Sequence, residues 1–288
     1  KIYSTERYSL FQELDRLPRL DRDLFYKERP LFKKGYTIST GRGCPFNCTF
    51  CASDALKRHY ASEGLGKSIR QRSVRNVLDE LYDAKKKYNF KTVYFTDDVF
   101  TINLEWVRDF ARWYPSAIGV PFYCTANPGT IKDEELKLLK EAGCQMIGFG
   151  LQSCNEHIRN KLLKRIGSNE RIKQTARLCK ELKMNFSFDH IFDLPGVSED
   201  SKEAIEFYND TRPDVINTFT MTYLPKIELN KFLDEKTRNE VENGKARSSM
   251  FNRKLDYLVG AFVLLPLLPM RWVRFLNRKN LTRFIRLP

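Results

Sequence analysis

"GRGCPFNCTFC", residues 41–51, sets cysteines at positions 44, 48 and 51 beside two glycines and a proline. Four thiolates close a zinc site or saturate an iron–sulfur cluster, so three leave one coordination position for something that is not protein. A C-x3-C-x2-C loop can set three sulfurs on three irons of a 4Fe–4S cube, with Gly41, Gly43 and Pro45 letting the backbone wrap round it. The competing reading is a zinc knuckle that borrows His59. Zinc ribbons usually pair one C-x2-C knuckle with another, and no second pair exists here.

The loop closes a β-rich run, "GYTIST" (35–40), and the chain then repeats helix followed by strand. "SVRNVLDELYDAKKKYN" leads to "KTVYFTDD", "LEWVRDFARWYP" to "VPFYCTAN", and "KDEELKLLKEAG" to "QMIGFGLQS". "NERIKQTARLCKELKM" leads to "NFSFDHIFDLPG", and "SEDSKEAIEFYNDTRP" to "DVINTFTMTYLP". Apolar residues at helical spacing alternate with short apolar runs, which predicts an α/β fold with right-handed crossovers and a parallel sheet. Both an open doubly wound sheet and a partial barrel satisfy that pattern. Either puts chemistry at the carboxyl ends of strands, where the cysteine loop lies.

At this point the chain resembles the radical S-adenosylmethionine enzymes, whose defining loop has this spacing with an aromatic residue, here Phe50, before the last cysteine. The likeness spans about residues 35–225. It implies a partial (β/α)6 TIM-like barrel, a 4Fe–4S cluster on Cys44, Cys48 and Cys51, and S-adenosylmethionine on the remaining iron. One electron would then cleave the sulfonium to a 5′-deoxyadenosyl radical. The resemblance also implies cofactor-binding roles for Asp97 or Asp98, facing the methionine ammonium, and for Gln152 and Ser153. Lys164 or Arg165 would neutralise the carboxylate, and Ile191 in "DHIFDLPG" would pack on adenine. Asp193 stands where the family often has glycine, and Val197 where it has an acid. Read on their own, a carboxylate pair at a strand end also suits a helix cap. Lys164 and Arg165 also suit a solvated helix face. His190 reads as a satisfied strand histidine, and Cys124, Cys144, Cys154 and Cys179 as buried apolar residues.

"LPRLDRDLFYK", "IRQRS", "FTDDVFT" and "YLPKIEL" resemble the branch that carries a cobalamin-binding domain before the barrel, which implies cobalamin through a domain outside this chain. That branch methylates unactivated carbons and carries out oxidative cyclisations. The chain opens on Lys1 with no initiator methionine or signal sequence, so the natural amino terminus is expected upstream. Seven cysteines without a disulfide pattern suit a reducing cytoplasm.

The net charge is +14, and residues 245–288 hold ten basic side chains against one acid, Asp256. Within that tail the uncharged run 257–270 is too short to span a bilayer. Residues 271–285 alternate arginines with Trp272, Phe275 and other apolar residues, as an interfacial helix or a helix on the protein itself would. The expected domains are therefore a lead-in (1–34), the barrel (35–225) and a helical extension (226–288). The expected partners are a small, lipophilic substrate, a reduced flavodoxin or ferredoxin, and an anionic surface at the inner face of the membrane met through 257–288. An RNA substrate is disfavoured because the basic excess is interleaved with large aliphatics. A non-catalytic zinc- or membrane-binding protein is the remaining alternative.

Overall fold

The computed structural model describes residues 8–27, 34–196, 201–245, 247–248 and 268–279. Val197, most of the uncharged run 257–270 and the end of the tail lie outside them. The chain groups into two compact bodies. The first comprises residues 1–46, 52–126 and 134–145, and the second residues 47–51, 127–133 and 146–288. The lead-in thus belongs with the first body and the tail with the second.

In the first body the lead-in forms a 3-10 turn at Leu14–Arg16 and a single turn of helix, α1 (Asp23–Tyr26). Next come β1 (Gly35–Ile38), β2 (Gly41–Arg42), α2 (Ala52–Ser62), β3 (Arg70–Gln71) and α3 (Val74–Tyr88). Then follow β4 (Thr92–Phe95), α4 (Leu104–Ala117), β5 (Phe122–Ala126) and α5 (Asp133–Glu141). β4 pairs in parallel with β1 and with β5, and β1 is an edge strand.

Local chemistry sets these boundaries. Ser73 caps α3 by accepting from Asn76 N at 3.1 Å, and Asn89 closes it in the left-handed conformation, φ 51°. Asn103 caps α4 by accepting from Glu105 N at 3.0 Å and from Trp106 N. Alternate strand residues Val93, Phe95, Phe122 and Cys124 are buried with Val107, Phe110 and Tyr114 of α4. The rings of Phe95 and Phe110 meet edge to face with centroids 5.5 Å apart. Burying each such ring contributes about 1.5–3 kcal/mol.

The second body holds β6 (Cys144–Gln152) from Met146 onward, a π-helical turn (Ile158–Leu162), α6 (Asn169–Glu181), β7 (Asn185–Phe192), α7 (Ser201–Thr211) and β8 (Val215–Thr220). β7 pairs in parallel with β6 and β8. β9 (Thr222–Tyr223), α8 (Glu235–Glu242), β10 (Arg247–Ser248) and α9 (Met270–Arg278) complete it. The single strand expected over 214–225 is divided at Met221, because β9 turns away to pair antiparallel with β10. α9 packs on α7 with Val273 fully buried, and Asn209 of α7 donates to Leu268 O at 2.7 Å. On β7, Phe186, Phe188, His190 and Phe192 form one buried row, while Asp189 and Ile191 point to the opposite face.

Candidate functional site: the cysteine loop and its supports

In the first body β1 runs into the cysteine loop, and Asp97 clamps the junction. Its carboxylate accepts from Thr40 N at 3.0 Å, Thr40 Oγ1 at 2.9 Å and Gly41 N at 2.7 Å. Burial pushes the Asp97 carboxyl upward, against the lowering effect of those same donors. Asp98 by contrast is exposed and accepts from Ser53 Oγ at 3.1 Å. The two adjacent carboxylates therefore have different environments, one turned into the fold and one to solvent.

Gly43 has φ +82°, and a Cβ there would stand 2.4 Å from Ser68 O, so the loop needs glycine for both conformation and space. Lys57, one turn into α2, donates to Phe46 O at 2.7 Å and Pro45 O at 3.3 Å, which fixes the first half of the loop. Asp54 on the same helix, 3% exposed, holds Arg58 at 2.9 Å.

The second body supports the other two cysteines. Cys48 is 4% exposed, and Cys51 N donates to Cys48 O at 3.1 Å. Thr49 between them donates through Oγ1 to Leu162 O at 2.7 Å and through N to Leu163 O at 3.1 Å. The next residues in that turn are the basic pair. Lys164 takes a left-handed φ of 49° and reaches out to Glu228 at 2.8 Å. Arg165 turns inward, 8% exposed, donating to Gly150 O at 2.8 Å and to Cys48 Sγ at 3.7 Å. Of the two basic residues offered by the sequence, Arg165 is the one beside a cysteine.

Gly150 on β6 makes room for that guanidinium. A Cβ there would lie 2.6 Å from Arg165 Nη2 and 2.7 Å from Gln152 Nε2. Gln152 itself, at the strand end, has φ +70° at a register shift between β6 and β7. Such left-handed non-glycine residues gather at functional sites. Asp189, level with Gly150, accepts from Asn217 Nδ2 at 2.9 Å. Burial raises its pKa, while Asn217 and the positive charge of Arg165 act the other way. Ile191 lies two residues on along the same face, half-buried, as is Phe50 in the loop.

Ser153 serves the backbone. Its Oγ accepts from Asn155 N at 3.2 Å, and its carbonyl accepts from Arg159 Nη1 at 2.8 Å. Arg159 escaped the sequence reading. It is 1% exposed and also donates to Gly167 O at 2.9 Å and Asn169 Oδ1 at 2.7 Å, so it organises the whole segment between β6 and α6. A buried arginine in "HIRNKLLKRIG" has no signal distinguishing it from its exposed basic neighbours.

Asp193 has φ +66°, a left-handed conformation that glycine adopts most easily. His190 Nδ1 lies 2.8 Å from Tyr208 OH, and burial holds the imidazole neutral, with its pKa near 3. Cys124, Cys144, Cys154 and Cys179 are buried at 3% exposure or less, whereas Cys44 and Cys51 of the loop are half-buried.

All seven cysteines are free thiols, and three of them share one short loop, a donor set that suits a site-differentiated iron–sulfur cluster. Among the described residues no three cysteine, histidine or carboxylate side chains already stand together as metal ligands. The decisive comparison is with protein families: the model of the radical SAM superfamily matches residues 38–208, more than half of the chain. The chain belongs to the radical SAM superfamily. It is accordingly an enzyme whose cofactors are a 4Fe–4S cluster and S-adenosylmethionine.

This radical SAM chain is 28% identical over 209 residues to an uncharacterized methyltransferase of Pyrococcus horikoshii, covering 71% of the chain and 43% of that protein. It is 24% identical over 247 residues to the anaerobic magnesium-protoporphyrin IX monomethyl ester cyclase of Rubrivivax gelatinosus, covering 82% and 42%. Among solved structures it matches the radical S-adenosylmethionine methyltransferase TsrM of Kitasatospora setae, which was solved with cobalamin and a [4Fe-4S] cluster bound. The TM-score is 0.60 at 18% identity, over 78% of this chain and 40% of that one. The α/β fold with its parallel strands is thus a radical SAM fold. The chain spans about two fifths of the length of these curated relatives.

Proposed function

We propose that this chain is the radical-generating part of an enzyme that reductively cleaves S-adenosylmethionine to a 5′-deoxyadenosyl radical. Working with cobalamin held outside residues 1–288, it would methylate or oxidatively cyclise a lipophilic or tetrapyrrole-like substrate. The observation that carries the reading is the setting of Cys48, a buried thiol pinned through Thr49 to the turn that brings Arg165 to its sulfur. Relatives named as methyltransferases and as a cyclase support both reaction types.

When bound, the cluster supplies one electron to the sulfonium of the cosubstrate. Cys44, Cys48 and Cys51 are its protein ligands in this reading, and Lys57 steadies the loop between the first two. Asp98 offers an exposed carboxylate to the cosubstrate ammonium, whereas Asp97 is occupied in holding Thr40 and Gly41. Arg165 and Gln152 supply donors for the carboxylate and ribose, Ile191 supplies apolar surface for adenine, and Phe50 shields the last cysteine from water. Lys164, paired with Glu228, takes no part in the reading. A reduced flavodoxin or ferredoxin is the electron donor expected for such a centre. Anaerobically reconstituted protein given S-adenosylmethionine and dithionite should release 5′-deoxyadenosine, and Cys48→Ala should release none. A fully loaded cluster that yields no 5′-deoxyadenosine refutes the reading.

We also infer that α9 meets an anionic membrane surface. Val273 is fully buried, but Trp272 and Phe275 are 53% and 48% exposed on a helix that also carries Arg271, Arg274 and Arg278. Among the described residues no helix is long and apolar enough to cross a membrane. Flotation with anionic vesicles should fall sharply for Trp272→Glu/Phe275→Glu, and equal flotation of both proteins refutes the idea.

A further inference from the structure

Beside the edge strand β1, the lead-in leaves a cavity of about 480 Å3 in the first body. Its size falls within the range of roughly 300–1,000 Å3 that holds small ligands. Leu17 and Leu20 form part of its wall, and Thr37, Ser39 and Thr96 form another part. The two leucines are 45% and 69% exposed.

Four arginines line the same cavity, and they divide into two kinds. Arg72 is matched by Glu80 at 2.7 Å and Arg19 by Asp83 at 2.5 Å. Arg22 and Arg42 have no carboxylate partner among the described residues. Arg22 lies over the Tyr36 ring, 5.2 Å from its centroid, and its Nε is buried with no hydrogen-bond partner. Buried donors without acceptors are rare in folded proteins, and a guanidinium is best satisfied by an oxyanion. Two arginines without a carboxylate partner among the described residues and two exposed leucine side chains thus share one cavity. Arg42 also stands two residues before Cys44, so the cavity reaches the start of the cysteine loop.

We propose that this cavity binds an amphiphilic small-molecule acid, its carboxylate or phosphate on Arg22 and Arg42 and its apolar body along Leu17 and Leu20. Resting on the function proposed above, that acid is the substrate of the enzyme or the acidic portion of it. Such a site selects for molecules with both features. An apolar neutral molecule leaves Arg22 unsatisfied, and a bare anion leaves the leucines in water.

Calorimetric titration of the full chain with octanoate, octyl phosphate, 1-octanol and inorganic phosphate tests this. One or both octyl anions should saturate a single site, and the tighter of them shows which acid group is preferred. 1-Octanol and inorganic phosphate should each bind at least about tenfold more weakly. Arg22→Met and Arg42→Met should each weaken the octyl anion roughly tenfold, with the unfolding midpoint of the exposed Arg42→Met unchanged. Octanol binding as tightly as octanoate overturns the proposal, as does inorganic phosphate matching octyl phosphate, which marks an adventitious ion only. Unaltered affinity in a folded Arg42→Met overturns it too, even if Arg22→Met does not fold. Formation of 5′-deoxyadenosine by the same preparation is read separately. An active protein with no octyl-anion site loses this proposal and keeps the radical reading, and the converse result separates them the other way.

Discussion

Replacing Arg159 with methionine keeps most of the apolar stem but removes every donor. The guanidinium now serves Ser153 O, Gly167 O and Asn169 Oδ1 at 2.7–2.9 Å from a position 1% exposed. Without it, Ser153 O loses a buried charged donor, and Gly167 O keeps only the 3.4 Å contact from Asn160 Nδ2. Two under-satisfied carbonyls cost about 1–3 kcal/mol each. Part of that is offset because the arginine itself is costly to bury, as the burial-driven lowering of its pKa records. The expected net loss is therefore about 2–4 kcal/mol. Arg159→Lys should recover less than half of it, since one ammonium cannot span acceptors on both sides of the planar fork. Urea unfolding under anaerobic reducing conditions reads both values. A loss below about 0.5 kcal/mol for the methionine variant, or a lysine variant as stable as wild type, refutes the claim that this residue organises the segment carrying Arg165.

Gly43→Ala should impair iron incorporation and cost more than about 1 kcal/mol, because φ +82° and the Ser68 carbonyl both oppose a side chain; normal iron content contradicts this. Thr49→Val removes the Oγ1 bond to Leu162 O and should cost about 1–2 kcal/mol, read by the same urea unfolding. His190 makes stability depend on pH. With its folded pKa near 3 against 6.5 unfolded, the native state binds fewer protons, so its contribution is full above pH 6.5 and is lost as pH falls toward 3. The loss approaches about 1.4 kcal/mol per pH unit between pH 6 and 4, and His190→Gln should flatten that difference; an unchanged slope contradicts it.

The strand and helix alternation was legible because caps and periodicity coincide. Ser73, Asn103 and Ser168 stand where helices start, and Val74, Val77 and Leu78 keep helical spacing into the core. What escaped reading depends on nonlocal geometry. The division of the last strand is made by pairing with β10, more than twenty residues away. The choice between Lys164 and Arg165 turns on a left-handed φ at Lys164, which sends adjacent basic side chains in opposite directions. Asp97 and Asp98 look alike in sequence, yet in the loop that follows β4 one is buried against Thr40 and the other faces solvent. Arg159 was invisible for the same reason, since burial is a property of the turn and not of the residue. The cysteine spacing narrowed the metal chemistry, because ligand number constrains a cluster wherever the loop sits, and the resemblance to the radical SAM family carried the rest.

The central claim is that three cysteines leave one iron open to the cosubstrate. Electron paramagnetic resonance of the reduced, reconstituted protein with and without S-adenosylmethionine tests it most directly. A 4Fe–4S signal whose g values shift on addition of S-adenosylmethionine, and which Cys44→Ala, Cys48→Ala and Cys51→Ala each abolish, is the predicted result. A signal indifferent to S-adenosylmethionine, or a protein that holds zinc without iron and sulfide, contradicts it.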